Sequence, residues 1–311
     1  MPGIALAIAP IFILILMGYA LRRGGIPSVE FWNLNDRLVY WVMMPALFFR
    51  QISNADLGSE PLGPYGLALC AGFFAAVAFG FVVARGAGYA PDVASSVIQG
   101  SARFNTFVAL AIAEAIYGAR GLQLAVLAAT ILVPVVNVTV VVLLTVMLRG
   151  GAGGNVVLAT LRDLARNPLI LSIGAGLAFN LTGMGGLPVI DETARILGSA
   201  ALPVMLLCVG ANLKVRGMQA SMGPLVWSSL GKLVVFPAVM LAVLVAVPPG
   251  ETAAHVALIF GALPTGVAAY TLARAMGGDA PLMAAIITVQ TLLAFFTIPL
   301  TLTLGALLLG P

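Results

Sequence analysis

Charged residues are scarce in this chain, and their scarcity limits the class of protein it can be. Only 8% of the 311 residues are Asp, Glu, Lys or Arg, whereas a soluble domain carries roughly 25%. Hydrophobic residues make up 61% of the sequence, and the mean hydropathy is +1.10. So few groups can be solvated by water that we expect most of the surface to contact lipid.

Cysteine and histidine are also nearly absent, which limits the chemistry of the chain. The two cysteines, Cys70 and Cys208, lie inside apolar runs, so we expect packing residues and no disulfide. The single histidine, His255, has no cysteine or histidine nearby in the sequence, so we expect no metal site. With no nucleophile–base pair and no cofactor motif, the sequence predicts no enzyme and no cofactor.

Long apolar runs take the place of the missing polar residues. Runs of about 20 residues can cross the hydrocarbon core of a bilayer as helices. They are apolar all round and do not alternate, which favours a helix bundle over a closed barrel. The first run has no basic segment before it, so we expect a retained helix and not a signal peptide. The sequence predicts an all-α polytopic membrane protein with ten spans, at about 4–22, 36–52, 62–84, 92–116, 121–148, 167–183, 188–212, 222–247, 252–275 and 280–308.

The two halves of the chain share a spacing of prolines, glycines and arginines. A shift of 158 positions superimposes four pairs without a gap: Pro10 and Pro168, Gly18 and Gly176, Arg37 and Arg195, Pro45 and Pro203. Secondary transporters are often built from two such halves, with the substrate site between them. We therefore predict two five-span repeats, 1–148 and 164–311, joined by a glycine-rich, basic cytoplasmic linker at 149–163.

The loop charges predict the orientation of the spans. Lysines and arginines concentrate in cytoplasmic loops, and ten lie in loops that follow odd-numbered spans, against three in the other loops. Both termini are then outside, in a plasma (inner) membrane, and the second five-span half is inverted relative to the first. This asymmetry accounts for the net charge of +4, so we infer no nucleic-acid partner. The ten are Arg22, Arg23, Arg37, Arg85, Arg149, Arg162, Arg166, Lys214, Arg216 and Arg274; the three are Arg50, Arg120 and Arg195.

Spans four and nine carry matching interruptions. Span four reads QGSARFNT at 99–106 and span nine reads GALPTG at 261–266, and a shift of 160 aligns Asn105 with Thr265. In an inverted repeat two such broken helices can cross near the bilayer midplane, with the positive dipole end of each second half-helix at the crossing. An arginine deep in a span costs roughly 2.5–3.5 kcal/mol, so Arg103 should face a cavity or a partner. These features predict an anion site, although the breaks could instead only bend the helices for packing.

The candidate site residues lie at the breaks or on spans that could face them. Asn137, Gln290 and Tyr270 could line the substrate path, and the first two could instead hydrogen-bond between helices. Lys232, in span eight, could neutralise substrate or exchange a proton, or it could extend to a lipid headgroup. The candidate substrate-binding residues are Arg103, Phe104, Asn105, Thr106, Pro264, Thr265, Gly266, Tyr270, Asn137 and Gln290, with Lys232 as the candidate for proton or charge coupling.

Several segments in order resemble the auxin efflux carrier family, which includes plant auxin carriers and bacterial permeases for malate and malonate. They cover nearly the whole chain: PIFILILMGYALRR at 10–23, LVYWVMMPAL at 38–47, RFNT at 103–106, RNPLI at 166–170, VGANL at 209–213, GKL at 231–233 and LPTGVAAY at 263–270. The resemblance implies a ten-helix fold like that of the bile-acid sodium symporters. In that fold spans 1, 2, 6 and 7 form a scaffold, and spans 3–5 and 8–10 form a moving transport domain.

The same resemblance implies a mechanism and a site. It implies an elevator-type cycle, a homodimer through the scaffold, and a substrate at the crossing of spans 4 and 9. Asn105 is similar to the family's crossover asparagine and Pro264 to its crossover proline. The short linker favours a bacterial-type permease, and Thr265 stands where plant members can have a second asparagine, which weakens the case for auxin.

Three functions follow from these observations. The leading hypothesis is a secondary carrier of a small organic anion, a dicarboxylate such as malonate or malate. A carrier of auxin-like aromatic monocarboxylates is the second, and a membrane sensor that moves no solute is the third. Few acidic residues lie within spans, which disfavours a sodium site. Proton coupling and uniport both stay open, with protons slightly favoured.

Overall fold

The computed structural model is helical throughout the part of the chain that it describes. Residues 2–55, 62–149, 162, 165–182, 188–213 and 222–310 are described, and no strand occurs among them. Most of the linker predicted at 149–163 lies outside these residues. Lys214 and Arg216, which contribute to the predicted orientation, lie outside them as well.

Thirteen α-helices follow one another among the described residues, with two π-helical turns between them. They are α1 (Pro2–Arg23), α2 (Val29–Leu38), a π-helical turn (Val39–Met43), α3 (Met44–Ser53), α4 (Leu62–Gly86), α5 (Pro91–Ala102), α6 (Thr106–Arg149), α7 (Pro168–Leu181), α8 (Pro188–Ala211), α9 (Met222–Leu230), a second π-helical turn (Gly231–Val235), α10 (Phe236–Ala246), α11 (Glu251–Ala262), α12 (Ala268–Met276) and α13 (Ala280–Leu309).

Six helical stretches are long and apolar enough to cross a membrane, by length and composition and within the described ranges. They are Gly3–Arg23, Leu62–Gly86, Pro91–Leu148, Pro188–Ala211, Met222–Ala246 and Ala280–Leu309. Pro168–Leu181 and Glu251–Ala262 are apolar but shorter. The chain is therefore a multi-pass membrane protein.

The difference between six stretches and the ten predicted spans has physical causes. Predicted spans four and five fall within one 58-residue stretch, Pro91–Leu148. They are separated only by a turn at Gly118, whose φ of 60° and ψ of −150° depart from the helix. Predicted span nine is divided by its break into helices of 12 and 9 residues. Predicted span two begins in the polar helix α2 and passes through a π-helical turn.

Each π-helical turn ends two residues before a proline. Met44 N–H bonds to Val39 O and precedes Pro45, and Phe236 N–H bonds to Gly231 O and precedes Pro237. A proline has no N–H and its ring clashes with the carbonyl four residues earlier. A wider i→i+5 turn accommodates that ring without ending the helix.

The helices pack in two groups. In the first group, α1 packs against α8, and α3 packs against both α7 and α8. In the second group, α4 packs against α5 and α10, and α11 packs against α6 and α13. Contacts between the groups, such as those of α1 with α6, are less extensive.

Glycines allow the helices of the first group to approach closely. A Cβ on Gly18 of α1 would overlap the backbone carbonyl of Leu207 in α8. A Cβ on Gly176 of α7 would lie 2.9 Å from the backbone oxygen of Phe49 in α3. Any larger residue at these positions would separate the helix pairs, as in other tightly packed membrane bundles.

The second group buries two short helices on all sides. Residues 94–102 of α5 are buried without exception, and so are residues 253–262 of α11. Each of these helices stops inside the protein, and the polypeptide continues into α6 or α12. The free backbone groups at the two breaks are therefore surrounded by protein, which is where a membrane protein tolerates them.

Candidate functional site

The first break separates α5 from α6. Arg103 leaves the helix with φ −70° and ψ 153°, after its N–H has bonded to Gln99 O at 2.9 Å. The side-chain oxygen of Asn105 then accepts hydrogen bonds from the N–H groups of Phe107 and Val108, at 3.2 and 3.3 Å. Asn105 is thus the N-cap of α6, the role for which a short amide side chain is preferred.

The second break separates α11 from α12. Leu263 has an extended backbone, with φ −68° and ψ 153°, and Pro264 follows it. Helix α12 begins at Ala268 with Val267 in the N-cap position, where no side chain accepts a hydrogen bond from the first turn. The two breaks therefore differ: the first N-terminus is capped by a side chain, and the second is not.

The two breaks lie directly against each other. Asn105 N–H donates to Pro264 O at 2.9 Å. The hydroxyl of Thr265 donates to Gly100 O at 2.8 Å, and a Cβ on Gly266 would lie 2.6 Å from Phe104 O. Residues that the sequence predicts for one site are thus in mutual contact, although about 160 positions separate them in the chain.

Gln290 of α13 links the two breaks through both ends of its side chain. Its Oε1 accepts from the N–H of Thr265 at 2.9 Å, and its Nε2 donates to Gly100 O at 2.9 Å. Gln290 is fully buried. Its amide is thus occupied in holding the breaks together, the interhelical role that was the alternative to lining a substrate path.

Arg103 has one occupied and one unoccupied guanidinium nitrogen. Its Nη2 donates to Oδ1 of Asn137 in α6 at 2.9 Å. Its Nη1 is buried and has no hydrogen-bond partner among the described residues. A guanidinium can donate five hydrogen bonds, so Arg103 keeps donors that an anion could use.

Lys232 lies at the end of α11 and not at the lipid surface. Its side chain is fully buried, and Nζ lies 3.1 Å from Gly261 O and 3.3 Å from Phe260 O. Nζ also lies 3.6 Å from the centroid of the Phe236 ring. The last carbonyls of a helix have no partners within the helix, and a cation is favourable there. Lys232 therefore caps the C-terminal end of α11.

The remaining candidates lie around the breaks in different ways. Phe104 is 9% exposed, and its ring packs edge-on against Phe260 with centroids 5.4 Å apart. Thr106 is the first residue of α6 and is partly exposed. Tyr270, in the first turn of α12, packs half-buried against the hydrophobic core. Three predicted residues, Asn137, Lys232 and Gln290, belong to segments distant in sequence from at least one break, and each bonds to residues at the breaks.

Gln99 lies close to the first break but is not among the residues that the sequence predicts for the site. Gln99 is fully buried, with 0% solvent exposure, and neither its Oε1 nor its Nε2 has a hydrogen-bond partner among the described residues. Its position four residues before Arg103 is the only sequence signal that could have indicated it.

The charges around the breaks are of one sign. Neither Arg103 nor Lys232 forms an ion pair in the described part of the chain, in contrast to Arg50, which pairs with Asp191, and Arg195, which pairs with Glu192. A buried charge without a counter-charge is costly. The arrangement therefore favours binding of an anion. The described residues hold no cluster of three or more His, Cys, Asp or Glu side chains that could ligate a metal.

Comparison with known proteins supplies the family. The sequence matches the family described as Membrane transport protein over residues 4–302. Comparison with curated proteins found no match. The match spans nearly the whole chain, from α1 to α13, and includes both breaks. The chain belongs to the membrane transport protein family, also known as the auxin efflux carrier family.

Proposed function

We propose that this chain is a secondary transporter of a small organic anion, which binds where the two helix breaks meet. The observation that carries the proposal is basic charge at the breaks without an acidic partner among the described residues: Lys232 is fully buried, and Arg103 is half-buried with its Nη1 atom buried. An anionic substrate would compensate part of that charge.

The half-helices supply further attraction for an anion. The N-terminus of a helix favours a negative charge by about 0.3–1 kcal/mol when exposed, and by up to ~2 kcal/mol when partly buried. Helices α6 and α12 both begin at the breaks. The first turn of α12 lacks a side-chain cap, and the N–H groups of Ala269 and Tyr270 bond to the carbonyls of Gly266 and Val267 at 3.0 Å. The attraction of α12 for an anion therefore comes from its helix dipole.

Two pairs of contacts support the proposed inverted repeat of five plus five spans. The shift of 158 that relates the predicted halves takes Gly18 to Gly176 and Phe49 to Leu207, and these four residues form the two close glycine contacts. It also takes Asn54 to Asn212. Each of these asparagines donates from Nδ2 to an aspartate, Asn54 to Asp191 at 3.1 Å and Asn212 to Asp36 at 2.9 Å.

The two packing groups support an elevator-type movement. The group of α1, α2, α3, α7 and α8 corresponds to the scaffold of spans 1, 2, 6 and 7. The group of α4–α6 and α9–α13 corresponds to the transport domain of spans 3–5 and 8–10. The weaker contacts between the groups are those that must change as one moves against the other. A homodimer through the scaffold, a plasma-membrane location and both termini outside complete the proposal.

The substrate is proposed to be a dicarboxylate such as malonate or malate. In that proposal Arg103 binds one carboxylate, while Lys232 contributes positive charge at the C-terminal end of α11, where it bonds to the carbonyls of Phe260 and Gly261. One observation favours aromatic monocarboxylates as the second candidate. The Lys232 ammonium is already bonded to two carbonyls, which leaves Arg103 as the basic group with a free buried donor, beside the rings of Phe104 and Phe260.

Proteoliposomes test the two candidates directly. Purified protein should exchange internal unlabelled malate or malonate for external labelled malate or malonate. Exchange of a labelled aromatic acid, with neither dicarboxylate moving, would replace the first candidate by the second. Absence of any exchange, although organic acids raise the melting temperature, would favour the non-transporting sensor.

A further inference from the structure

Gln99 is a buried amide whose hydrogen-bonding atoms are unused within the described residues. Its side chain has 0% exposure, and both Oε1 and Nε2 lack partners there. A buried polar group without a partner destabilises the fold. A leucine of similar size would avoid that cost, so packing alone does not account for a glutamine at this position.

Contacts at both ends of α12 fix the side on which Gln99 lies. Near the C-terminal end of α12, Ser95 Oγ lies 3.0 Å from the position of a Cβ on Gly278. At the N-terminal end, the Thr265 hydroxyl bonds to Gly100 O. Gln99 precedes Gly100 and follows Ser95 by one helical turn, so Ser95 and Gln99 share a face of α5. That face is turned toward α12, and Gln99 stands at the end where α12 begins.

Two buried side chains near the breaks therefore keep unused hydrogen-bonding atoms. Arg103 follows Gln99 by four residues, and its Nη1 is buried without a hydrogen-bond partner among the described residues. The first turn of α12 adds the positive end of a helix dipole, although its Ala269 and Tyr270 N–H groups bond to backbone carbonyls. The guanidinium is a donor only, whereas Gln99 offers a donor and an acceptor.

We propose that the transported anion carries a hydrogen-bond donor, a hydroxyl or an N–H group, in addition to its carboxylate, and that Gln99 recognises it. The inference rests on the proposed function and names the chemistry that its substrate must have. A carboxylate can accept hydrogen bonds from Arg103 Nη1 and from Nε2 of Gln99, but it leaves Oε1 of Gln99 unpaired, because a carboxylate has no proton to give. A site built around a substrate hydroxyl or N–H discriminates strongly against the analogue that lacks it, because its own polar group is then left without a partner.

Matched pairs of acids test the inference. Malate and succinate differ by one hydroxyl, as do lactate and propionate, while indole-3-acetate and naphthalene-1-acetate differ in the ring N–H. We expect the donor-bearing member of at least one pair to bind and compete for uptake at least tenfold better than its partner. Gln99→Leu should bring the two members within about threefold, through weaker binding of the donor-bearing acid. Gln51→Leu, in α3 of the first packing group, is the matched control and should keep the discrimination.

The possible results separate this inference from the proposed function. Equal affinity within every pair, while acids are still transported, would overturn the inference and leave the carrier function standing. Discrimination that survives in Gln99→Leu would overturn it as well. Failure of all six acids to bind or be carried would overturn both proposals. If Gln99→Leu does not elute as a single peak, Gln99→Met gives the same apolar replacement with an unbranched side chain.

Discussion

The backbone N–H of Asn105 donates to the backbone carbonyl of Pro264 at 2.9 Å. This bond joins two segments that are each the interruption of a helix. It is made by main-chain atoms, so it depends on the path of the two breaks and not on the identity of a side chain. The side chain of Asn105 is thereby free to cap α6, and its two functions can be separated by mutation.

Asn105→Ala should abolish or greatly reduce transport while the protein still folds. The change removes the cap of α6, which is worth about 1 kcal/mol, and leaves Asn105's backbone bond in place. Uptake into proteoliposomes and elution as a single peak are the two measurements. Asn167→Ala is the matched control, because Asn167 caps α7 through a 2.9 Å bond to Leu169 N–H and lies in the other packing group. Wild-type uptake by Asn105→Ala would remove the crossing from the mechanism.

Gln290→Leu should lower both the melting temperature and the uptake rate. It leaves the N–H of Thr265 without its acceptor, which costs about 1–3 kcal/mol, while Gly100 O keeps the bond from the Thr265 hydroxyl. Gln290→Glu, measured at a pH at which this carboxyl is protonated, keeps an acceptor for the Thr265 N–H and a donor for Gly100 O, and should therefore be closer to wild type in thermal stability. If Gln290→Leu keeps wild-type stability but loses substrate affinity, Gln290 contacts substrate and does not hold the breaks together.

Lys232→Met should reduce anion uptake at least tenfold. It removes a buried positive charge and leaves the carbonyls of Phe260 and Gly261 without their donor. Uptake measured with and without a proton gradient adds a second readout. A variant with residual uptake that no longer responds to the gradient would support Lys232 as the coupling group. An unchanged response to the gradient would restrict Lys232 to capping α11.

Gly18→Ala should destabilise the protein, because the added methyl group would overlap the backbone carbonyl of Leu207. Gly176→Ala should lower the stability by less, because the atom nearest to its Cβ position, Phe49 O, is 2.9 Å away and does not overlap as fully. Gly174→Ala is the control, because Gly174 lies on α7, as Gly176 does, and nothing lies within 4 Å of its Cβ position. Melting temperatures in detergent measure all three. Equal stability of Gly18→Ala and Gly174→Ala would contradict the close helix contact.

A reporter fused to the C-terminus of the chain tests the predicted orientation. Alkaline phosphatase is active only outside the cytoplasm, and green fluorescent protein exported through the general secretory route does not fluoresce. We therefore expect active phosphatase and dark fluorescent protein when either is fused after Pro311. The opposite pattern would invert the orientation inferred from the lysines and arginines of the loops.

The sequence anticipates the breaks because their causes are local. Pro264 cannot donate to the helix before it, and Asn105 competes for the backbone as a cap, so both signals lie within the interrupted segments. The roles of Gln290 and Lys232 could not be read in the same way. Their partners lie 25–29 and 190 residues away in the chain. Only the packing of α13, and of the second π-helical turn that contains Lys232, brings them to the ends of α5 and α11. The number of spans is the least predictable feature, since a tight turn at Gly118 and a break at Leu263 alter helix length without altering hydropathy.

The C-terminal ends of α5 and α11 are closed by chemically unequal groups. Gly100 O receives two uncharged donors, Thr265 and Gln290, whereas Gly261 O receives the ammonium of Lys232. A carrier whose halves were identical at the centre would have end states of equal free energy, because inversion would exchange them. Within the proposed elevator-type cycle, unequal closure removes that degeneracy, so the outward-facing and inward-facing states of the empty carrier would differ in free energy. The state of lower free energy would then be the preferred starting point of the cycle.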